Sequence, residues 1–107
     1  MSVEATTETY EELVAKGSVL ADFWGPQCAP CLALMPAVEK LEARSGGALR
    51  LVKVNAADNR RLCLSQRVLG LPTFILYRDG EEVSRLTGNP TAVEIEAAVH
   101  ELMEGGA

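Results

Sequence analysis

The sequence predicts a single α/β domain over residues 1–107, with three layers in which a central mixed sheet of four to five strands lies between helices. Three observations support this fold class. The chain of 107 residues is long enough to bury one hydrophobic core without cross-links. Helix and strand patterns alternate in the first half, which indicates parallel strands joined by right-handed crossovers. The second half contains a hairpin followed by a helix, which adds antiparallel strands.

The composition is that of an ordinary globular domain, with 48% hydrophobic and 23% charged residues. It excludes a disordered chain and a coiled coil. The net charge of -5, without any basic run, makes nucleic acids and anionic membranes poor partners. No apolar stretch is long enough to span a bilayer, and the first residues lack the basic and apolar regions of a signal peptide. We therefore expect a cytoplasmic protein.

The first elements are a short helix and a buried strand. Thr9 and Glu12 have the spacing of a capping box, so we predict a helix that ends near Gly17. The nearly continuous apolar run over residues 18–24 predicts a strand that is covered on both faces. Residues 2–5 are predicted to add an edge strand.

A long helix and a second buried strand follow. Apolar residues recur at helical spacing from residue 28 or 29 to Arg44, although Pro36 falls inside this helix and removes a backbone donor. A pair of glycines ends the helix. The apolar residues of 49–55 then predict a second buried strand, in which Lys53 stands out.

Two more helices are predicted from capping residues. Asp58 or Asn59 caps a third helix that continues to about Arg67. Thr91 and Glu94 form a second capping box at the start of the final helix. The final helix carries an apolar stripe made by Ile95, Val99, Leu102 and Met103.

A β-hairpin precedes the final helix. The strand-forming runs 73–77 and 83–87 flank a short segment that contains Asp79 and Gly80. An Asp-Gly pair between such runs is a strong hairpin signal, because both residues tolerate a positive φ.

The three cysteines are too few and too odd in number for a disulfide framework. Cys28 and Cys31 form a Cys-x-x-Cys pair at the start of the long helix, where the helix dipole and free N–H groups favour a thiolate on Cys28. Cys31 is then within reach as a resolving thiol. Two other interpretations remain open: a zinc site completed by Cys63 and His100, or two structural cysteines.

Two further residues are unusual for their surroundings. Asp22 lies in an apolar strand, and if it is buried beside Cys31, a raised pKa suits a general base. The alternative is a solvated strand edge. Lys53 in the adjacent strand either tunes that proton or only extends its ammonium to solvent. Pro72 precedes a strand, where a trans bond is the expectation from pattern alone.

The segment 22–31, which reads DFWGPQCAPC, resembles the active-site segment of the thioredoxin family. The resemblance covers residues 3–104, and it therefore implies a thioredoxin fold. Several further motifs stand at matching spacing: Pro36, Lys53 with Asn55, Pro72-Thr73, Asp79-Gly80 and Gly88.

The resemblance implies a role for each catalytic position. Cys28 is the attacking thiol and Cys31 is the resolving thiol. Asp22 is the buried carboxylate and Lys53 is its partner. Pro72 is a cis-proline beside the active site, contrary to the expectation from pattern alone.

The resemblance also implies a surface that docks the substrate. Trp24, Leu71, Pro72 and Gly88 expose apolar groups and backbone beside the cysteines, and a client segment pairs with the backbone around Leu71 like an added strand. Gln27 belongs to this surface by its position just before Cys28.

The chain departs from the usual thioredoxin pattern next to the cysteines. Ala29 stands where a glycine is usual, Gln27 replaces a tryptophan, and Gly25-Pro26 is an unusual approach to the motif. This pattern resembles the atypical thioredoxins of anaerobic sulfur-metabolising bacteria, including desulfothioredoxin. A polar Gln27 removes apolar docking area and favours a narrower set of clients.

The expected function is therefore that of a thiol–disulfide oxidoreductase without a metal or an organic cofactor. The implied partners are disulfide-containing clients and a thioredoxin reductase, and a monomer is the expected state. One alternative is a partner-specific oxidant or isomerase. The other is a binding module that uses the fold only as a scaffold.

Overall fold

The computed structural model describes residues 2–105, which contain a five-stranded sheet. The strands are β1 (Val3–Ala5), β2 (Ser18–Trp24), β3 (Leu49–Asn55), β4 (Thr73–Arg78) and β5 (Glu81–Leu86). Their spatial order is β1-β3-β2-β4-β5. β3 pairs in parallel with β1 and β2, whereas β4 is antiparallel to β2 and β5. The predicted mixed sheet is confirmed, including its edge strand and the bounds of β2 and β3.

Within residues 2–105, three α-helices lie between strands and a fourth follows β5. They are α1 (Tyr10–Leu13), α2 (Ala29–Arg44), α3 (Arg60–Ser65) and α4 (Ala92–Glu104), with a 3-10 turn over Ala56–Asp58. The predicted start and end of α2 are confirmed. None of these helices within residues 2–105 has the length and apolar character needed to cross a membrane.

The capping box predicted at the start of α1 is wrong. Thr9 is the N-cap residue, but its backbone has φ -105° and ψ -13°, and its side chain caps no helical N–H group. Its hydroxyl instead accepts a hydrogen bond of 2.9 Å from the Thr6 N–H. An N-cap side chain usually needs an extended backbone to reach the first turn, which Thr9 lacks. The helix also ends at Leu13, before the turn at Gly17.

The third helix is shorter than predicted. Asn59 is its N-cap residue, although the side chain accepts from the Thr7 N–H at 2.9 Å instead of capping α3. The helix ends at Ser65, and Arg67 has a φ of 57°. This left-handed backbone cannot continue a right-handed helix.

The hairpin and the second capping box are confirmed. Asp79 and Gly80 have φ values of 51° and 86° and form a two-residue turn, so β5 begins two residues earlier than predicted. The Thr91 hydroxyl accepts from the Glu94 N–H at 3.1 Å, and the Glu94 carboxylate accepts from the Thr91 N–H at 2.8 Å.

The sheet is covered on both faces, which confirms the three layers. One face packs with α1 and α3 through residues that include Tyr10, Phe23, Val54, Leu62, Cys63 and Ile75. The other face packs with α2 and α4 through residues that include Leu20, Val38, Leu51, Phe74, Ile95 and Val99. Because side chains alternate along a strand, Asp22 and Lys53 share the second face with Leu20 and Leu51.

Candidate active site

The cysteine pair lies where β2 leads into α2. Cys28 is the N-cap residue of α2, with an extended backbone, and it forms a disulfide with Cys31. The two Cα atoms are 5.3 Å apart. The backbone N–H of Cys31 donates to Cys28 Sγ at 3.2 Å. The same N–H and the positive end of the helix dipole favour a thiolate on Cys28 once the disulfide is reduced.

The two cysteines differ in exposure. Cys28 is half-buried and faces solvent in part, whereas Cys31 is only 1% exposed. A client disulfide can therefore reach Cys28 more readily than Cys31. This difference agrees with the order of attack that the sequence resemblance implies.

Asp22 is buried, so the alternative of a solvated strand edge is wrong. Its residue exposure is 1%, and within residues 2–105 its Oδ1 atom has no hydrogen-bond partner. Burial raises the pKa of Asp22 to about 7, against the opposing field of Lys53. A carboxyl group with this pKa can exchange a proton near neutral pH. Its role as the base for Cys31 stays a prediction.

Lys53 is the β3 neighbour of Asp22 in the sheet register. Its ammonium, however, donates a hydrogen bond to the carboxylate of Glu39 on α2. The sequence reasoning missed Glu39, because no local pattern links this half-exposed residue of α2 to Lys53. Lys53 therefore acts on Asp22 through its charge while it is bound to Glu39.

The loop before β4 lies against the cysteine turn. The Leu71–Pro72 peptide bond is cis, as the resemblance implies and contrary to the expectation from pattern alone. A Cβ atom on Gly25 would be only 3.1 Å from Leu71 Cδ1, so glycine permits this close approach. The Thr73 hydroxyl donates to the Gly70 carbonyl at 2.6 Å and holds the end of the loop.

A surface cavity of about 500 Å³ lies beside Cys28. Its lining consists of Gly25, Pro26, Gln27, Cys28, Ala56, Ala57, Arg60 and Leu71. Of the residues predicted to form the docking surface, Gln27 and Leu71 line this cavity, whereas Trp24, Pro72 and Gly88 do not. The contributions of Ala56 and Arg60 were missed, because no motif links them to the cysteines in the sequence.

Cys63 and His100 do not join the cysteine pair. Cys63 packs in the core on the α3 face, where burial raises the pKa of its thiol. His100 is exposed on α4, which covers the opposite face. In the part of the chain that the structure describes, no three His, Cys, Asp or Glu side chains are grouped to hold a metal ion.

Comparison with known proteins gives a consistent match. Residues 1–101 match the family model described as thioredoxin. A thioredoxin from Acetoanaerobium sticklandii is 40% identical over 99 residues, which cover 90% of this chain and 94% of the relative. A thioredoxin from Peptoclostridium acidaminophilum is 47% identical over 77 residues, with coverage of 72% and 70%. One from Bacillus subtilis is 35% identical over 86 residues, with coverage of 80% and 83%.

Proposed function

Because this chain belongs to the thioredoxin family, we propose that its disulfide exchange uses Cys28 as the attacking thiol and Cys31 as the resolving thiol. The protein is a protein-disulfide oxidoreductase, as thioredoxins are. One observation carries the assignment of the two roles. Cys28 is half-buried at the N-terminus of α2 and accepts an N–H hydrogen bond, whereas Cys31 is buried.

The reaction transfers two electrons from the dithiol to the client in two steps. The Cys28 thiolate attacks one sulfur of the client disulfide, and the client disulfide breaks. One client sulfur stays bound to Cys28, while the other leaves as a thiolate and takes a proton from water. Cys31 then loses its proton and attacks Cys28 Sγ, which releases the second client thiol. The product is the Cys28–Cys31 disulfide that the structure contains.

Asp22 is proposed as the acceptor of the Cys31 proton. A thiolate is a far better nucleophile than a thiol, so removal of this proton accelerates the second step. The pKa of about 7 supports the assignment, because an ionised fraction of Asp22 is then present at neutral pH. Lys53 takes part as the nearby positive charge that lowers the pKa of Asp22.

The cavity beside Cys28 is proposed as the docking site for the client. The client segment lies across Gln27 and Leu71, with Trp24 and Gly88 at the periphery of the contact, while Pro72, which is buried, joins Leu71 through the cis bond. Backbone pairing at Leu71 supplies affinity that does not depend on the client sequence. Gln27 offers a hydrogen bond where an aromatic ring would offer apolar area.

Thioredoxins work with a thioredoxin reductase and with disulfide-containing targets. We propose that this chain acts as a single-domain monomer in the cytoplasm, where reductases keep thiols reduced. The steps above need no metal or organic cofactor on the chain, since the dithiol itself carries the electrons. Size-exclusion chromatography with light scattering tests the monomer, and a dimer at micromolar concentration would contradict it.

Trapping of the mixed disulfide tests the assignment of the two cysteines. Cys31→Ser removes the resolving thiol, so a client stays covalently bound to Cys28 and is identified by mass spectrometry after digestion. Cys28→Ser is the matched control, and it should trap no client and show no turnover. Clients bound through the buried Cys31 in the Cys28→Ser variant would overturn the assignment.

A further inference from the structure

Three charged side chains form a row across the sheet beneath α2. Glu4 of β1 pairs in register with Lys53 of β3, and Lys53 pairs in register with Asp22 of β2. Side chains in register on neighbouring strands lie side by side on one face of a sheet. The row therefore alternates in charge, with Lys53 between two carboxyl groups.

The ammonium of Lys53 is bound to a fourth group that lies above the row. Glu39 projects from α2, and its carboxylate accepts a hydrogen bond from Lys53 Nζ. The Lys53 side chain is 12% exposed, whereas that of Glu39 is 50% exposed. The described part of the chain offers no hydrogen-bond partner to Asp22 Oδ1. The lysine therefore interacts with Asp22 at longer range.

We propose that Glu39 is a positioning residue for disulfide exchange: it holds the Lys53 ammonium in place and partly neutralises it, and so weakens the effect of that charge on the buried Asp22 carboxyl group. The proposal rests on the function of Asp22 proposed above. Glu39 touches neither the cysteines nor the client in this role. It acts through Lys53, because the ammonium without a partner would favour ionisation of the buried carboxyl group more strongly.

The charged groups around Asp22 support this direction of effect. Burial is the main cause of its raised pKa, the positive charge of Lys53 lowers that pKa, and the negative charges of Glu4 and Glu39 raise it. On the other side of β2, the register neighbour of Asp22 is the uncharged Phe74 of β4. Farther along α2, the buried Glu42 carboxylate accepts a hydrogen bond of 2.9 Å from the Leu51 N–H of β3. At the start of α2, the thiols of Cys28 and Cys31 also titrate once the disulfide is reduced.

The test is a carbon-detected NMR titration of the Asp22 carboxyl group in the oxidised protein. Glu39→Gln keeps the size of the side chain and removes its charge, so the midpoint should move toward acid by roughly half a pH unit, as expected for one screened charge. Glu39→Asp keeps the negative charge, so its midpoint should stay close to that of the wild type. Glu96→Gln is the matched control, because it removes an exposed carboxylate that pairs with Arg44 of α2, and it should leave the midpoint unchanged.

A double-mutant cycle separates action through Lys53 from a direct field. Lys53→Gln alone should raise the midpoint of Asp22, since it removes the charge that lowers the pKa. In that background, Glu39→Gln should move the midpoint by less than half of its effect in the wild type. An unchanged midpoint in Glu39→Gln would overturn the proposal, as would an equal shift with and without Lys53.

The pH dependence of the reaction gives a separate readout. The rate at which Cys31 resolves a preformed mixed disulfide should follow the Asp22 midpoint and move toward acid in Glu39→Gln. If the NMR midpoint moves and the rate profile does not, Asp22 is not the base and Glu39 is not a positioning residue for exchange. That result would contradict the proposed function of Asp22, whereas an unmoved NMR midpoint contradicts the link from Glu39.

Discussion

Replacement of Asp22 by asparagine should stabilise the folded protein at pH 8 and leave its stability nearly unchanged at pH 3. The amide has the size of the carboxyl group, but it cannot ionise. In the wild type, the folded state keeps Asp22 protonated up to a pKa of about 7, whereas the unfolded chain ionises it near the ordinary value of 3.8. Between these two pKa values, ionisation therefore stabilises the unfolded state but not the folded state.

The size of this effect follows from the two pKa values. Because the folded state binds more protons between pH 3.8 and about 7, the stability of the wild type falls as the pH rises through this interval. A shift of roughly three units corresponds to about 4 kcal/mol at 1.36 kcal/mol per unit. Asp22 is 1% exposed, so solvent screening does not diminish this value much. This loss of stability is complete above the pKa of the folded state, and it is absent well below pH 3.8.

Urea unfolding of the oxidised proteins, followed by the fluorescence of Trp24, measures the difference. Asp22→Asn should unfold at roughly 2 M higher urea than the wild type at pH 8, for an m-value near 2 kcal/mol/M. The two midpoints should converge as the pH is lowered to about 3. A stability difference that does not depend on pH would refute the reasoning, because a change in packing alone does not titrate.

Three other substitutions test separate parts of the structure. Gln27→Trp adds apolar area beside Cys28 and should lower the KM for insulin reduction about fivefold, equivalent to about 1 kcal/mol of binding; an unchanged KM would contradict the role of Gln27 in client range. Thr91→Ala removes the capping box of α4 and should lower the free energy of unfolding by about 1 kcal/mol, measured by thermal or urea unfolding. Thr91→Ser keeps the capping hydroxyl and should retain most of the wild-type stability, so equal losses in the two variants would contradict this role. Cys63→Ala should leave the rate of disulfide reduction within experimental error, since Cys63 lies in the core on the α3 face, and a loss of turnover in a folded variant would assign it a redox role.

Local sequence patterns predicted the elements that carry the cysteines. The apolar run of β2 and the helical spacing of α2 each have one dominant interpretation, so their bounds agree with the structure. The prediction failed at Thr9, where a hydrogen bond from the Thr6 N–H competes for the capping hydroxyl. The spacing of Thr9 and Glu12 does not show whether the Thr9 hydroxyl accepts from an N–H group of the helix or from the N–H group of Thr6, because either bond satisfies a backbone donor.

The site was predictable only in part. The cysteine pair follows from the sequence, whereas the burial of Asp22 and the cis bond before Pro72 followed only from the family resemblance. Lys53 was correctly placed beside Asp22 in the sheet, but its ion pair with Glu39 joins two residues from different elements. Such contacts depend on how α2 lies across the sheet, which no local pattern specifies.

The midpoint potential of the Cys28–Cys31 couple tests the central claim most directly. Trp24 precedes Cys28 by four residues, and its fluorescence can follow the couple in buffers of reduced and oxidised dithiothreitol. A thioredoxin-type reductant should give a value near about -270 mV. A value near about -180 mV, typical of a disulfide isomerase, would contradict the claim that this chain supplies electrons to client disulfides.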